Sequence, residues 1–402
     1  MTTAAKAAGE LFVPRRAFEV SSSITRSYFL GHHTAALSSM RKILSNIGLV
    51  IECRDSRVPL TSANPLLESS LAGRDRIVVY TKSHLCVPTI SMKWLGKQQS
   101  LLAKWHTPTP AHIGQDGGSV GGGKTSVVFT DEGSEASITR LLDLIKERAA
   151  AHDSLVGLRA LIVGMPNAGK STLLNALRRV GMDLPRKAAR TGVQPGVTRK
   201  LSTPVRIVAA SSTSSTSSSP TSSTSSSHTS PDSVDVGEGV FVIDTPGVFV
   251  PYVADVMSML KLSLVGCVKD GVIPAETVVD YMLFLINQRD PSLYAKYCAP
   301  TNSIHEFLDA VAVRTGKLLK GGLPAREHAA DWVLGQWRQG NLGRFGLDDI
   351  SKEALEARAR NRFEQAEGEN APLSMNQARK REKEARKARN AAKRAAARDS
   401  GA

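Results

Sequence analysis

The sequence predicts an α/β fold: a six-stranded, mainly parallel sheet, then a small all-α domain and a basic tail. Two patterns carry this reading. Short β-rich runs at 47–52, 77–80, 126–130, 158–163, 204–208 and 240–244 alternate with helical periodicity at 66–72, 90–103, 137–149 and 171–180. Such alternation indicates parallel strands covered on both faces by helices. After Pro251 the strands cease, and Val278, Met282 and Leu285, with Val279, Leu283 and Ile286, recur at helical spacing. Further helices are expected around 304–313 and 326–338. The expected domains are therefore 28–250 and 251–350, with a basic tail over 351–402 that forms a solvated helix or orders only on a partner.

Two stretches interrupt the first domain. Residues 107–124 are rich in Pro and Gly, and 211–233 are almost entirely Ser, Thr and Pro. Neither holds enough apolar surface to offset its chain entropy, so both are expected as flexible insertions at loop tips.

The 402 residues carry 52 Lys+Arg against 37 Asp+Glu, a net +15. More than half of that surplus, +8, lies between Arg379 and Arg398. This charge points to an anionic partner: RNA phosphates first, or an anionic membrane surface met peripherally. The longest apolar runs fall far short of the roughly 20 residues that cross a bilayer, so no transmembrane segment is expected. Cys53, Cys86, Cys267 and Cys298 form no C-x-x-C pair, which argues against a zinc site or a disulfide framework. Residues 1–27 hold Lys6, Arg15, Arg16 and Arg26, a Ser run and only two acids, the composition of an organelle transit segment.

The pattern G-x-x-x-x-G-K-[ST] occurs twice, at Gly118 to Thr125 and at Gly164 to Ser171. Phosphate binding requires backbone N–H groups at a helix N-terminus directly after a strand. The first match follows no strand and opens no helix. The second follows the strand at 158–163 and opens a helix at Ser171, so Asn167, Ala168, Gly169, Lys170, Ser171 and Thr172 are the expected phosphate cradle. Downstream, Asp244-Thr-Pro-Gly247 leaves a strand, where a carboxylate reaches a Mg²⁺ shell and a glycine N–H reaches a γ-phosphate. Thr198, in Gly196-Val-Thr-Arg, offers a second hydroxyl to the metal. Ser171, Thr198 and Asp244 form the expected Mg²⁺ set, and the combination indicates a GTPase with γ-phosphate-sensing loops.

A guanine-reading [NT]-K-x-D element is missing after Gly247. The candidate lies upstream, where the strand at 77–80 runs into Thr81-Lys82-Ser83-His84. Base-reading elements before phosphate elements resemble the circularly permuted GTPases, and further stretches sharpen this to the mitochondrial GTPase 1 and bacterial large-subunit assembly GTPase family. Asp55-Ser-Arg-Val-Pro-Leu-Thr-Ser-Ala-Asn-Pro65 resembles the family's D-A-R-x-P-x-S-x-x-N-P block, and Phe29-Leu-Gly-His32 its F-P-G-H. Gly164 to Thr172 and Gly192 to Arg199 are near-complete matches; Lys320-Gly-Gly and Arg338 to Gly343 resemble the end of the helical domain. The resemblance spans about 25–350.

It implies a circularly permuted P-loop GTPase domain and a helical ribosome-binding domain. The implied function is a mitochondrial matrix enzyme that binds and hydrolyses GTP during assembly of the large mitochondrial ribosomal subunit on its rRNA, in the matrix or peripherally on the inner membrane. Val248 stands where other GTPases carry a water-orienting Gln, so unaided hydrolysis is expected to be slow. The resemblance implies catalytic parts for Lys170 and Thr198, a K⁺ held partly by Asn167, and a contribution from His32, next to His33. One departure is His84 in place of the family's base-reading Asp: a neutral imidazole accepts one hydrogen bond where a carboxylate accepts two. The alternative function is an RNA-binding scaffold with relaxed base recognition and dispensable hydrolysis.

Overall fold

The computed structural model describes residues 12–20, 24, 31–87, 91–106, 123–152, 156–184, 186–192, 196, 198, 201–210, 237–250, 253 and 255–367. Six strands form one sheet: β1 (Leu49–Asp55), β2 (Arg76–Thr81), β3 (Thr125–Phe129), β4 (Leu158–Gly164), β5 (Val205–Val208) and β6 (Val240–Asp244). Their spatial order is β3-β2-β1-β4-β6-β5, parallel except for β5 against β6. The sheet is the one expected, with strand ends shifted by at most three residues.

Because side chains alternate along a strand, β1 and β4 feed two cores. Leu49, Ile51, Cys53, Ala160 and Ile162 pack beneath α4 (Glu135–Ala151) and α5 (Lys170–Met182). Val50, Leu161 and Val163 meet α1 (Gly31–Ile43), α2 (Pro65–Ser70) and Val248 on the other face. Beside them, α3 (Met92–His106) covers Val78, Tyr80 and Phe129. Burial on both faces explains why these strands read as continuous apolar runs.

The helical region comprises α6 (Val256–Leu264), α7 (Ala275–Asn287), α8 (Ile304–Thr315) and α9 (Arg326–Arg338). Its core is not separate. Val58, Met165 and Phe249 of the sheet domain are buried in the same cluster as Leu260, Met282, Phe307 and Trp337. Asp348 closes the joint, accepting from the Leu60 and Thr61 N–H groups, from Thr61 Oγ1 at 2.5 Å and from Lys261 Nζ at 3.1 Å.

Both ends hold packed segments that composition alone does not specify. Within the segment read as a transit address, Arg15 and Phe18 dock on α7 through Asp280, Tyr281 and Phe284. Within the segment read as a tail, Lys352–Glu367 forms α10, and Leu355 is buried against Leu60, Tyr80 and Leu95. A few apolar side chains are enough to anchor segments whose composition is otherwise that of solvated chain. The insertion at 211–233 and the basic stretch 379–402 lie outside the described residues, as do 107–122 of the first insertion. Lys124, from the discounted first phosphate-loop match, stands just before β3, at the opposite end of the sheet from Lys170; its N–H donates to Asp75 and its ammonium lies 3.5 Å from Glu147.

Candidate active site

The site lies at the C-terminal edge of the sheet, where open α/β folds bind ligands. The loop from Gly164 to Gly169 leaves β4 and enters α5. Gly164 has φ +143°, and a Cβ there would stand 2.2 Å from the Cys53 carbonyl oxygen of β1. Asn167 takes φ +55° and Gly169 φ +82°, left-handed turns that curl the loop back over the start of α5. The Lys170 ammonium is buried and donates to the Met165 carbonyl at 2.8 Å. Burial lowers its pKa, partly opposed by Asp244.

The three expected metal-binding residues converge. Ser171 Oγ donates to Asp244 Oδ2 at 2.5 Å and lies 3.2 Å from Thr198 Oγ1. Asp244 Oδ1 is buried with no hydrogen-bond partner among the described residues, and burial raises the carboxyl's pKa against the pull of Ser171 and Lys170. Two hydroxyls and one carboxylate with an unsatisfied oxygen fit Mg²⁺, which binds few protein ligands and completes its shell with phosphate and water.

After Asp244 the chain runs over the phosphate loop. Gly247 is required there, because a Cβ would lie 2.6 Å from Pro166 backbone atoms. Its carbonyl lies 2.9 Å from His33 Nδ1, the next carbonyl, of Val248, accepts from Asn64 Nδ2 at 2.9 Å, and the Val248 side chain is buried against α1. Among the described side chains, the histidine that touches this loop is His33. His32 occupies the first turn of α1, and its side chain lies outside the described residues.

Toward β2, the Thr81 hydroxyl donates to the Ala168 carbonyl at 2.9 Å, tying the base-side strand to the phosphate loop. Lys82 Nζ donates to the Asn167 carbonyl at 2.8 Å and to Asp55 Oδ2 at 2.9 Å. Asp55 is also gripped by Arg57 through two bonds of 3.0 and 2.8 Å. Although burial alone would raise its pKa, Arg57 and Lys82 hold the Asp55 carboxyl well below the usual carboxylate range. The Arg57 guanidinium stacks 4.9 Å from the Trp337 ring of α9, and Asn167 Nδ2 donates to the Gly266 carbonyl between α6 and α7 at 2.8 Å. Ser83 is buried, its N–H donating to Thr130 O at 3.1 Å. His84 Nδ1 lies 2.9 Å from Asp131 Oδ1.

A single cleft of about 480 Å³ joins these parts, lined by Lys82, His84, Asn167, Gly169 to Thr172, Thr198 and Gly247. Sequence reasoning did not single out Asp55, Arg57, His33 or Asp131 as site residues. The first two stood in a quoted block with no assigned role, and the adjacency of two histidines concealed the third.

A family described as a 50S ribosome-binding GTPase matches residues 159–310, beginning in β4, the strand of the phosphate loop. Over 365 residues the chain is 34% identical to mitochondrial GTPase 1 of Schizosaccharomyces pombe, covering 87% of this chain and 97% of that one. The chain belongs to the mitochondrial GTPase 1 family. It is also 28% identical to ribosome biogenesis GTPase A of Priestia megaterium, over 82% of this chain and 98% of the other. The mitochondrial ribosome-associated GTPase 1 of Xenopus tropicalis is 27% identical over 83% and 98%. As a member of the mitochondrial GTPase 1 family the chain is a GTP-hydrolysing enzyme. Its β1–β3 precede the family match, and Lys82 and His84, which follow β2, line the cleft.

Proposed function

We propose that the chain is a mitochondrial matrix GTPase that binds GTP with Mg²⁺ and serves the assembly of the large mitochondrial ribosomal subunit. The observation that carries this reading is the joint between the phosphate loop and the helical domain. Met165 is buried in the helical core and Asn167 bonds to Gly266, so a change at the nucleotide bears directly on the second domain. The names of the relatives, ribosome-associated in the frog protein and ribosome biogenesis in the bacterial one, support a ribosomal partner.

In this reading Lys170 and the N–H groups at the start of α5 hold the β- and γ-phosphates. Ser171, Thr198 and Asp244 would hold Mg²⁺, which when bound neutralises charge developing on the phosphate oxygens. Gly247 brings its N–H to the γ-phosphate, while His33 and Asn64 fix the two carbonyls that follow from its turn. Val248 cannot orient water, so slow unaided hydrolysis and stimulation by the subunit follow. The Asn167 side-chain oxygen is the candidate ligand for K⁺, and His32, one residue from the His33 contact, is the candidate helper near the attacking water.

The test is GTP turnover with and without purified large subunits. Stimulation, and subunit binding in the GTP state that Lys170→Ala abolishes, support the proposal. No stimulation together with no binding overturns it. Binding to rRNA through 379–402 predicts a flatter salt dependence on deletion of that stretch. An unchanged slope assigns the charge elsewhere, and vesicle binding lost with the same deletion assigns it to the inner membrane.

A further inference from the structure

We propose that Asp131 acts through His84 to select the base, so that this enzyme reads the N1–H edge shared by guanine and hypoxanthine and not the 2-amino group of guanine. The proposal rests on the GTP-binding reading of the cleft.

Phosphates are placed at the end of β4, next to β1 and then β2. Two strand spacings of about 4.8 Å separate β4 from β2, the end of β2 meets the phosphate loop through Thr81, and the chain that continues past Thr81 carries the far side of the cleft. His84 stands there, just past β2, and lines the same cleft as Lys170. Its Nδ1 is shielded from solvent and makes no hydrogen bond among the described residues; the nearest charge is Asp131 Oδ1, 2.9 Å away. The side chain as a whole keeps 35% of its surface exposed and lines the cleft, and in this proposal Nε2 is the atom that meets the base.

Asp131 is itself fixed. It follows β3, its N–H donates to Ser137 Oγ at 3.0 Å, and its Oδ1 accepts from the Gly133 N–H at 2.9 Å. A carboxylate held beside Nδ1 keeps the hydrogen on that nitrogen. In the neutral ring Nε2 is then an acceptor of one hydrogen bond. Guanine and hypoxanthine both offer N1–H to such an acceptor, whereas adenine presents a lone pair at N1 and is repelled. The 2-amino group, which the second oxygen of a carboxylate would take, finds no partner on the imidazole. Asp131 is a positioning residue in this scheme, and His84 the group that touches the base.

The test compares equilibrium binding of GTP, ITP and ATP, with Mg²⁺, to the full chain and to His84→Asp, Asp131→Ala and the double variant. The unaltered chain is expected to bind GTP and ITP within about threefold and ATP far more weakly, and His84→Asp to raise the preference for GTP over ITP about tenfold. Asp131→Ala weakens GTP and ITP alike about tenfold when His84 is present. In the His84→Asp background the same change removes a like charge and leaves binding equal or tighter. A structural Asp131 would weaken both backgrounds equally and overturns the proposal. So does a tenfold or larger preference of the unaltered chain for GTP over ITP. Failure of the GTP-binding reading looks different: neither GTP nor ITP binds, and Lys170→Ala changes nothing.

Discussion

Two clusters of buried charge flank the phosphate loop, and they are in opposite conditions. On the β1 and β2 side, Asp55 is gripped by Arg57 and Lys82, and its pKa is driven well down. On the β6 side, Lys170 has its pKa lowered by burial, Asp244 has its pKa raised by burial, and Asp244 Oδ1 has no partner among the described residues. In the first cluster the carboxylate is answered within the chain by two cations, although Arg57 Nη1 has no hydrogen-bond partner among the described residues. The second is answered within the chain only in part, by the Met165 carbonyl, by Ser171 and by the attraction of the two charges for each other, and suits a phosphate at the lysine and a cation at the carboxylate. A buried group whose charged form is disfavoured marks where the fold accepts a cost in order to bind; a buried group whose charged form is favoured marks where it is held together.

The largest effect that can break this comparison is Lys170→Met. GTP affinity is expected to fall on the order of 100-fold, through loss of charge-assisted bonds worth about 3 kcal/mol. The sign for stability is the opposite of the usual buried substitution. Burial holds the Lys170 pKa below that of the unfolded chain, so its charge opposes folding wherever the unfolded lysine is protonated. The nucleotide-free variant should melt at the same temperature as the unaltered chain or higher. Calorimetry without nucleotide, paired with nucleotide titration, checks both halves; a clear drop in melting temperature would show that Lys170 is structural.

Asp55→Asn should behave the other way. It leaves the buried Arg57 and the partly buried Lys82 without their carboxylate, a loss of about 3–5 kcal/mol for a broken buried pair. The folded pKa of Asp55 lies below the ordinary value, so its stabilisation is fully present above the unfolded value of about 3.9 and is lost as pH falls through the folded one. The difference in unfolding free energy between the two chains should therefore be largest near neutrality and shrink below about pH 4. Denaturant melts across that range measure it, and a difference that stays constant with pH would remove Asp55 from the satisfied class.

The contrast also explains what could be read from the residues alone. The phosphate loop, Ser171, Thr198 and Asp244 were legible because glycine at close backbone approaches, such as Gly164 and Gly247, and hydroxyls beside a helix start leave fixed spacings. The strands were legible because both faces are buried. Asp131 was not legible: it stands 47 residues from His84 in a short turn whose composition suits any connection, and only the parallel pairing of β2 with β3 brings them together. His33 and His32 are equivalent as letters, and only the structure shows that His33 contacts the Gly247 carbonyl. The packed anchors at the two ends were not legible for a related reason. Charge composition describes solvated chain well, but Leu355 and Phe18 are single anchors that composition averages away.

The smallest expected effect extends the comparison to the surface, at the N-terminal segment over α7. Arg15 makes two bonds to the Asp280 carboxylate, at 3.1 and 2.6 Å, and Phe18 packs edge-on to Tyr281 with ring centres 5.3 Å apart. Asn302 Nδ2 donates to the Val13 carbonyl at 2.8 Å. Unlike Asp55, both members of the charged pair keep part of their surface in water, with 29% and 22% of the side chains exposed. Solvent competes for such a pair, so Arg15→Ala should cost about 1 kcal/mol. Nucleotide affinity should not move, because α7 meets the cleft only through the helical core. Thermal melting and GTP titration of this variant, beside those of Asp55→Asn, would separate a strap that holds the helical domain from a pair that holds the site. A fall in GTP affinity comparable to that of Asp55→Asn would show that the N-terminal segment reaches the phosphate loop, and the division between answered and waiting charge would then have to include it.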